Sequence, residues 1–124
     1  IDGTALALSD IVTFHAYLAT DKLDAIITAL AERGRPMLCT EWMARPVGSR
    51  IADQLSLFRD RGVGCVQWGL VQGRTQTWLP WPEDLVAAHG GDADRSVWFH
   101  DILDAAGNPY DPAEVAALRL CTAG

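Results

Sequence analysis

The chain holds one lysine, Lys22, one asparagine, Asn108, and no apolar run long enough to cross a bilayer. A spanning helix needs about 20 consecutive apolar residues, so no membrane segment is expected. Lys22 opens a helical stretch instead of ending a strand, which speaks against a Schiff-base aldolase. Cysteine is sparse and odd in number: Cys39, Cys65 and Cys121 form no Cys-x-x-Cys pair, and zinc would want four tightly spaced Cys or His ligands. The three read as unpaired thiols and point to a reducing, cytoplasm-like compartment, with localisation otherwise open. His15, His89 and His100 are scattered, so no metal or cofactor is expected. Gly62-Val63-Gly64 precedes an apolar run, whereas a phosphate-cradling glycine loop would follow one. Ile1-Asp2-Gly3 shows no basic stretch leading into an apolar one, so no signal peptide is visible, and the missing initiator Met reads as a processed or truncated start. Basic charge is scarce too. Ten Lys and Arg against sixteen Asp and Glu give a net charge of −6, which argues against a nucleic-acid partner.

What is present is a regular alternation. Residues 10–17 are β-branched and aromatic without a breaker and read as a strand. Thr20-Asp21 offers an N-cap and a first-turn acid; Leu23, Ile26, Ile27, Leu30 and Ala31 recur at helical spacing, and Gly34 closes the helix. Residues 36–42 form a second strand, apolar almost to its end. After a loop over 43–48, Ser49 is the expected cap of a second helix carrying Ile51, Leu55 and Phe58, stopped at Gly62. Residues 63–70 read as the third strand. Apolar strands alternating with helices indicate a parallel α/β sheet wound by right-handed crossovers. The segment at about 71–94, with Trp78, Pro80, Trp81, Pro82 and Gly90-Gly91, is too long for a plain connection. A helix is expected over 95–106, and Asp111-Pro112 opens a terminal one.

Ligands of parallel α/β folds sit at the carboxyl ends of the strands. His15 and Tyr17, Glu41 and Trp42, and Trp68 fall there on the three strands. If Glu41 faces the cleft, side-chain alternation carries Met37 and Cys39 with it; Gly64 and Val66 accompany Trp68, while Cys65 and Gln67 face the helices. Cys39 and Cys65 then lie on opposite faces, which argues against a disulfide between them. Ile11, Thr13, His15 and Tyr17 share one parity. A strand-end carboxylate must be paired, solvated or functional. The plain structural account of Glu41 is a helix cap or an ion pair with Arg45 or Arg50. Taken singly, His15 reads as a satisfied histidine, and Tyr17 and Trp68 as packing. Together they line an aromatic cleft around one carboxylate, which suits sugar rings.

Phe14-His15-Ala16-Tyr17, Cys39-Thr40-Glu41-Trp42 and Gln67-Trp68-Gly69-Leu70, in this order and spacing, resemble the ends of strands 6 to 8 in the retaining glycoside hydrolases of the clan-A barrel, nearest to family 5-like cellulases, mannanases and 1,4-β-xylanases. Trp98-Phe99-His100-Asp101-Ile102 and Gly107-Asn108-Pro109-Tyr110 resemble the closing part of the same proteins. The resemblance implies that residues 1–124 are the C-terminal part of a single (β/α)8 TIM barrel, strands 6 to 8 with their helices, whose remaining N-terminal part is an absent partner. It implies Glu41 as nucleophile, Tyr17 as its hydrogen-bond donor and His15 beside the reacting sugar. Trp68 becomes the sugar platform, followed in this family by a cis peptide bond, and Trp42, Trp78 and Trp81 become candidate subsite walls. The substrate class implied is a β-linked oligo- or polysaccharide.

One departure limits the match. A retaining mechanism uses a second carboxylate about 5–5.5 Å from the first as acid and then base. In the family it sits in an Asn-Glu pair; none occurs here, and Glu32, Glu83 and Glu114 fall on expected helices or in the long loop. The isolated chain is therefore expected to be inactive. The rival expectation is a degenerate barrel that binds carbohydrate without cleaving it.

Overall fold

The computed structural model describes residues 3–122; the start at Ile1 and Asp2 lies outside them. The chain is α/β, in the order α1 (Gly3–Leu8), β1 (Val12–Ala16), α2 (Thr20–Ala31), β2 (Met37–Trp42), α3 (Ile51–Asp60), β3 (Gly64–Gln67), α4 (Glu83–Ala88) and α5 (Pro112–Thr122). The strands form one parallel sheet in the order β1-β2-β3. Apolar alternation made them strands, and the helices between them return the chain for parallel pairing.

One face of the sheet is covered. Val12, Phe14 and Ala16 of β1 and Cys39 and Trp42 of β2 pack on Leu23, Ile27 and Leu30 of α2 and Ile51, Leu55 and Phe58 of α3. Each fully buried aliphatic there contributes about 1.5–3 kcal/mol. The opposite face is open: Thr13 and His15 alternate outward on β1, and Val66 and Trp68 are about half exposed. Helix α2 ends through Gly34 at φ +62°, a left-handed turn that glycine adopts without a Cβ clash.

Several local expectations give way to specific competitors. The N-cap of α2 is Ala19, with Thr20 inside the first turn, and that of α3 is Arg50; neither makes a side-chain cap bond. Ser49 is occupied otherwise. Its hydroxyl accepts the Met43 N–H (3.1 Å) and donates to Gln54 Oε1 (2.9 Å), while Gln54 Nε2 donates to the Leu18 carbonyl (2.6 Å). This buried network ties the ends of β1 and β2 to α3.

The helix expected over 95–106 does not form. Asp94 Oδ1 accepts from both the N–H and the hydroxyl of Ser96, and Asp104 accepts from the N–H groups of Ala106 and Asn108. Such local bonds compete directly with a helix. The backbone between these turns runs alongside the long loop: Phe99 N–H donates to Trp78 O, His100 N–H to Thr77 O, and Ile102 N–H to Leu70 O. The long segment in turn contains α4, whose Val86 joins Ala44, Val47 and Phe99 in a second apolar cluster over the carboxyl end of the sheet.

Candidate functional site at the strand ends

Glu41 reaches the open face through a bulge. Phe14 pairs with Cys39, but the next partner of β1, His15, pairs with Glu41, so Thr40 is the extra residue. The same slip appears toward β3, where Cys39 pairs with Cys65 and Trp42 with Gln67. Bulges re-aim side chains and recur beside functional sites. Here the bulge turns Glu41 outward beside His15 and leaves Cys39, Met37 and Trp42 on the helix-covered side. The expected alternation of Met37, Cys39 and Glu41 on one face is thereby corrected. Cys39 and Cys65 are also register partners that both belong to the covered side, not to opposite faces; their thiols are free nonetheless.

At the strand ends Tyr17 donates its phenol O–H to Glu41 Oε2 at 2.9 Å, and His15 Nδ1 lies 3.3 Å from the same oxygen. Oε1 takes no hydrogen bond from the described residues. A carboxylate anchored through one oxygen and free at the other is aimed without being consumed. Burial, then the hydrogen bond to Glu41 and its charge, hold the Tyr17 phenol well above its ordinary value, so it stays a donor through the neutral range. Neither arginine takes up Glu41. Arg45 is buried in a two-bond pair with Glu114 (2.9 and 2.5 Å), and Arg50 donates to the Arg45 carbonyl. The ion-pair account of Glu41 therefore fails.

The turn after Glu41 is strained. Met43 sits at φ +74°, a left-handed conformation that costs a non-glycine residue about 1–3 kcal/mol. Its N–H is held by Ser49, and its carbonyl accepts from His100 Nδ1 at 2.6 Å. Because a carbonyl only accepts, Nδ1 carries the proton. Burial is the main cause pushing the His100 imidazole below its ordinary value, which favours the neutral ring. The ring packs at 5.4 Å from Tyr17 and 5.6 Å from Trp81. His100 was the residue the sequence hid: placed in an expected helix, it carried no signal of packing on Tyr17 or bonding the turn after Glu41.

The tryptophans separate. Trp68 is 45% exposed just past β3, and Trp81 stands edge-on to Tyr17 at 5.1 Å. Together with Thr75, Gln76, Thr77, Leu79 and His100 they line one groove. Gln76 in that lining is itself left-handed, at φ +57°. Trp42 is no wall: it is 1% exposed, packed on Phe58 at 4.9 Å. Trp78 is half-buried, its carbonyl paired with Phe99 N–H, and its side chain is not among those lining the groove. No cis peptide follows Trp68, nor occurs elsewhere among the described residues. Gly69 turns instead at φ +85°, where a Cβ would lie 2.8 Å from both Asp101 Oδ1 and His100 Cβ. Glycine is required there both for its torsion and for this close approach.

No other glutamate of the described residues lies in this constellation; Asp101, fully buried behind Gly69, accepts from the Thr77 hydroxyl at 2.6 Å. Glu32 caps the end of α2, Glu83 opens α4, and Glu114 is held by Arg45. Compared with family models, curated proteins and solved structures, the chain matches none of them.

Proposed function

We propose that this chain is the C-terminal part of a (β/α)8 glycoside hydrolase of the retaining type, with Glu41 as the nucleophile toward a β-linked oligo- or polysaccharide. The observation that carries the reading is the outward carboxylate on the β2 bulge, held through one oxygen by Tyr17 and His15. Attack by Oε1 on an anomeric carbon would form a glycosyl-enzyme ester and expel the leaving group. Tyr17, by bonding Oε2, holds the carboxylate in line and becomes the donor to the ester as charge leaves it. Trp68 and Trp81 supply the apolar walls on which sugar C–H faces stack. The acid/base carboxylate belongs to the N-terminal strands, which would pair with the free edges of β1 and β3 and close over the open face.

A 2-fluoro glycosyl fluoride tests this, because fluoride leaves without protonation and the missing acid is bypassed. Peptide mass mapping should find the sugar on Glu41, and none on Glu41→Gln. A label on another residue, or equal labelling of the variant, refutes the assignment. Hydrolysis of an unactivated polysaccharide by the 124 residues alone would refute the dependence on a missing acid.

A second reading rests on the absence of a second glutamate beside Glu41 among the described residues: a degenerate barrel that binds carbohydrate without cleaving it. Calorimetric binding of an oligosaccharide, lost in Trp68→Ala but unchanged in Glu41→Gln and unaccompanied by any label, favours it.

A further inference from the structure

His100 is held through both its backbone and its ring. Its N–H donates to Thr77 O (3.2 Å), its carbonyl accepts from Gln67 Nε2 (3.2 Å), and its ring lies among Tyr17, Trp81 and Phe99. Gly69 leaves no space between its own backbone and His100 Cβ. A ring so fixed has one polar contact through Nδ1, the carbonyl of Met43 at 2.6 Å. Met43 is the left-handed residue two positions after Glu41, and Tyr17, against which the same ring packs, is the donor to Glu41. Two supports of the carboxylate, the backbone turn behind it and the phenol in front of it, therefore lean on one imidazole, while His15 stands apart on β1.

We propose that His100 is the positioning residue of the Glu41 carboxylate: its Nδ1–H holds Met43 in the left-handed turn, and its ring seats Tyr17 at Glu41 Oε2. Without the bond, Met43 relaxes toward an ordinary torsion and the end of β2 rotates, carrying Glu41 away from Tyr17. His100 acts only through these neighbours. Its functional meaning rests on the reading of Glu41 as nucleophile, whereas its geometric content does not.

Two variants separate bond from bulk. His100→Asn can place an amide N–H near the position of Nδ1, and His100→Phe keeps an aromatic ring without a donor. NMR reads the Met43 torsion from 13C shifts and coupling constants, and the Glu41–Tyr17 contact from nuclear Overhauser effects. His100→Phe is expected to lose both the left-handed torsion and the contact, and His100→Asn to retain both. Glu41 labelling by the fluorosugar should slow by about a hundredfold in His100→Phe, the scale of an ångström-sized misplacement, and be largely rescued in His100→Asn. Retention of torsion and contact in His100→Phe overturns the proposal, as does their equal loss in both variants. If His100→Phe fails to fold, 15N shifts of wild-type His100 decide instead: a proton on Nε2 rather than Nδ1 overturns it. Geometry that behaves as expected in a protein that never takes a label leaves the positioning role standing and removes the nucleophile reading.

Discussion

Removing the carboxylate of Glu114 should cost this fold more than any surface ion pair can. Glu114 on α5 binds Arg45, 69 positions earlier, through Nε at 2.9 Å and Nη2 at 2.5 Å. Only 5% of the Arg45 side chain and 8% of Glu114 are exposed. The guanidinium also donates to Trp98 O at 2.9 Å and lies 4.4 Å from the Tyr110 ring centre. In Glu114→Leu that charge stays buried without its counter-ion, at a cost of about 3–5 kcal/mol. Against a total stability of about 5–15 kcal/mol, this is about a fifth or more of what holds the chain together. With an m-value of about 2 kcal/mol/M, the urea midpoint read by circular dichroism should fall by about 1.5–2.5 M. The double variant Arg45→Met/Glu114→Leu removes both charges and should recover most of the loss. Asp24→Ala is the control, since the Arg61–Asp24 pair is about 40% exposed on both sides and should cost about 1 kcal/mol or less. A Glu114→Leu midpoint no lower than that of Asp24→Ala, or a double variant as unstable as the single, refutes the reasoning.

Four further outcomes follow from the same geometry. Burial disfavours the His100 imidazolium, so the unfolded chain takes up that proton more readily. Stability should then decline as pH drops below the ordinary value near 6.5, and urea midpoints from pH 7 to 5 should show this limb flattened in His100→Asn; an unchanged limb counts against it. At high pH the order reverses. Burial pushes the Cys39 thiol up to about 12 from an ordinary 9.0 and raises the Tyr17 phenol as well, so unfolded chains release these protons first and stability fades above about pH 9. Cys39→Ala should flatten the lower part of that decline. Glu41→Gln should bring the Tyr17 ionisation, followed at 295 nm, only part-way down, because burial is the larger cause. Finally, Trp42→Ala should cost about 3–5 kcal/mol as a core deletion and Trp68→Ala about 1 kcal/mol or less. Equal losses in thermal melts would contradict their placement.

Strand and helix alternation was legible because it is written in local periodicity. Val12, Phe14 and Ala16 repeat every second residue, and Leu23, Ile27 and Leu30 every third or fourth, and they bury the faces those periods demand. The region after β3 was not legible. Trp98 to Ile102 is apolar enough to pass for a helix, but Asp94 and Asp104 divert the backbone into turns at either end, and the bonds to Leu70, Thr77 and Trp78 that hold it extended are distant in sequence. Ser49 looked like a cap for the same reason: a cap is a local inference, whereas its actual partners, Met43 and Gln54, are set by how β2 meets α3.

The bulge at Thr40 shows why the site was half-legible. Alternation assigns Glu41 and Cys39 to one face, and no residue type in Cys39-Thr40-Glu41-Trp42 marks an extra residue. Yet the burial demands of the four side chains conflict with strict alternation. Trp42 and Cys39 both gain by facing α2 and α3, three positions apart, while Glu41 between them must not. A regular strand would leave either Cys39 or Trp42 on the open side. One inserted residue satisfies all three, and leaving an indole exposed would forgo more burial than one disrupted ladder position costs. The outward carboxylate is therefore a consequence of core packing. What then makes it a site is the company it meets there: Tyr17 on Oε2, a strained Met43 behind, and His100 holding both.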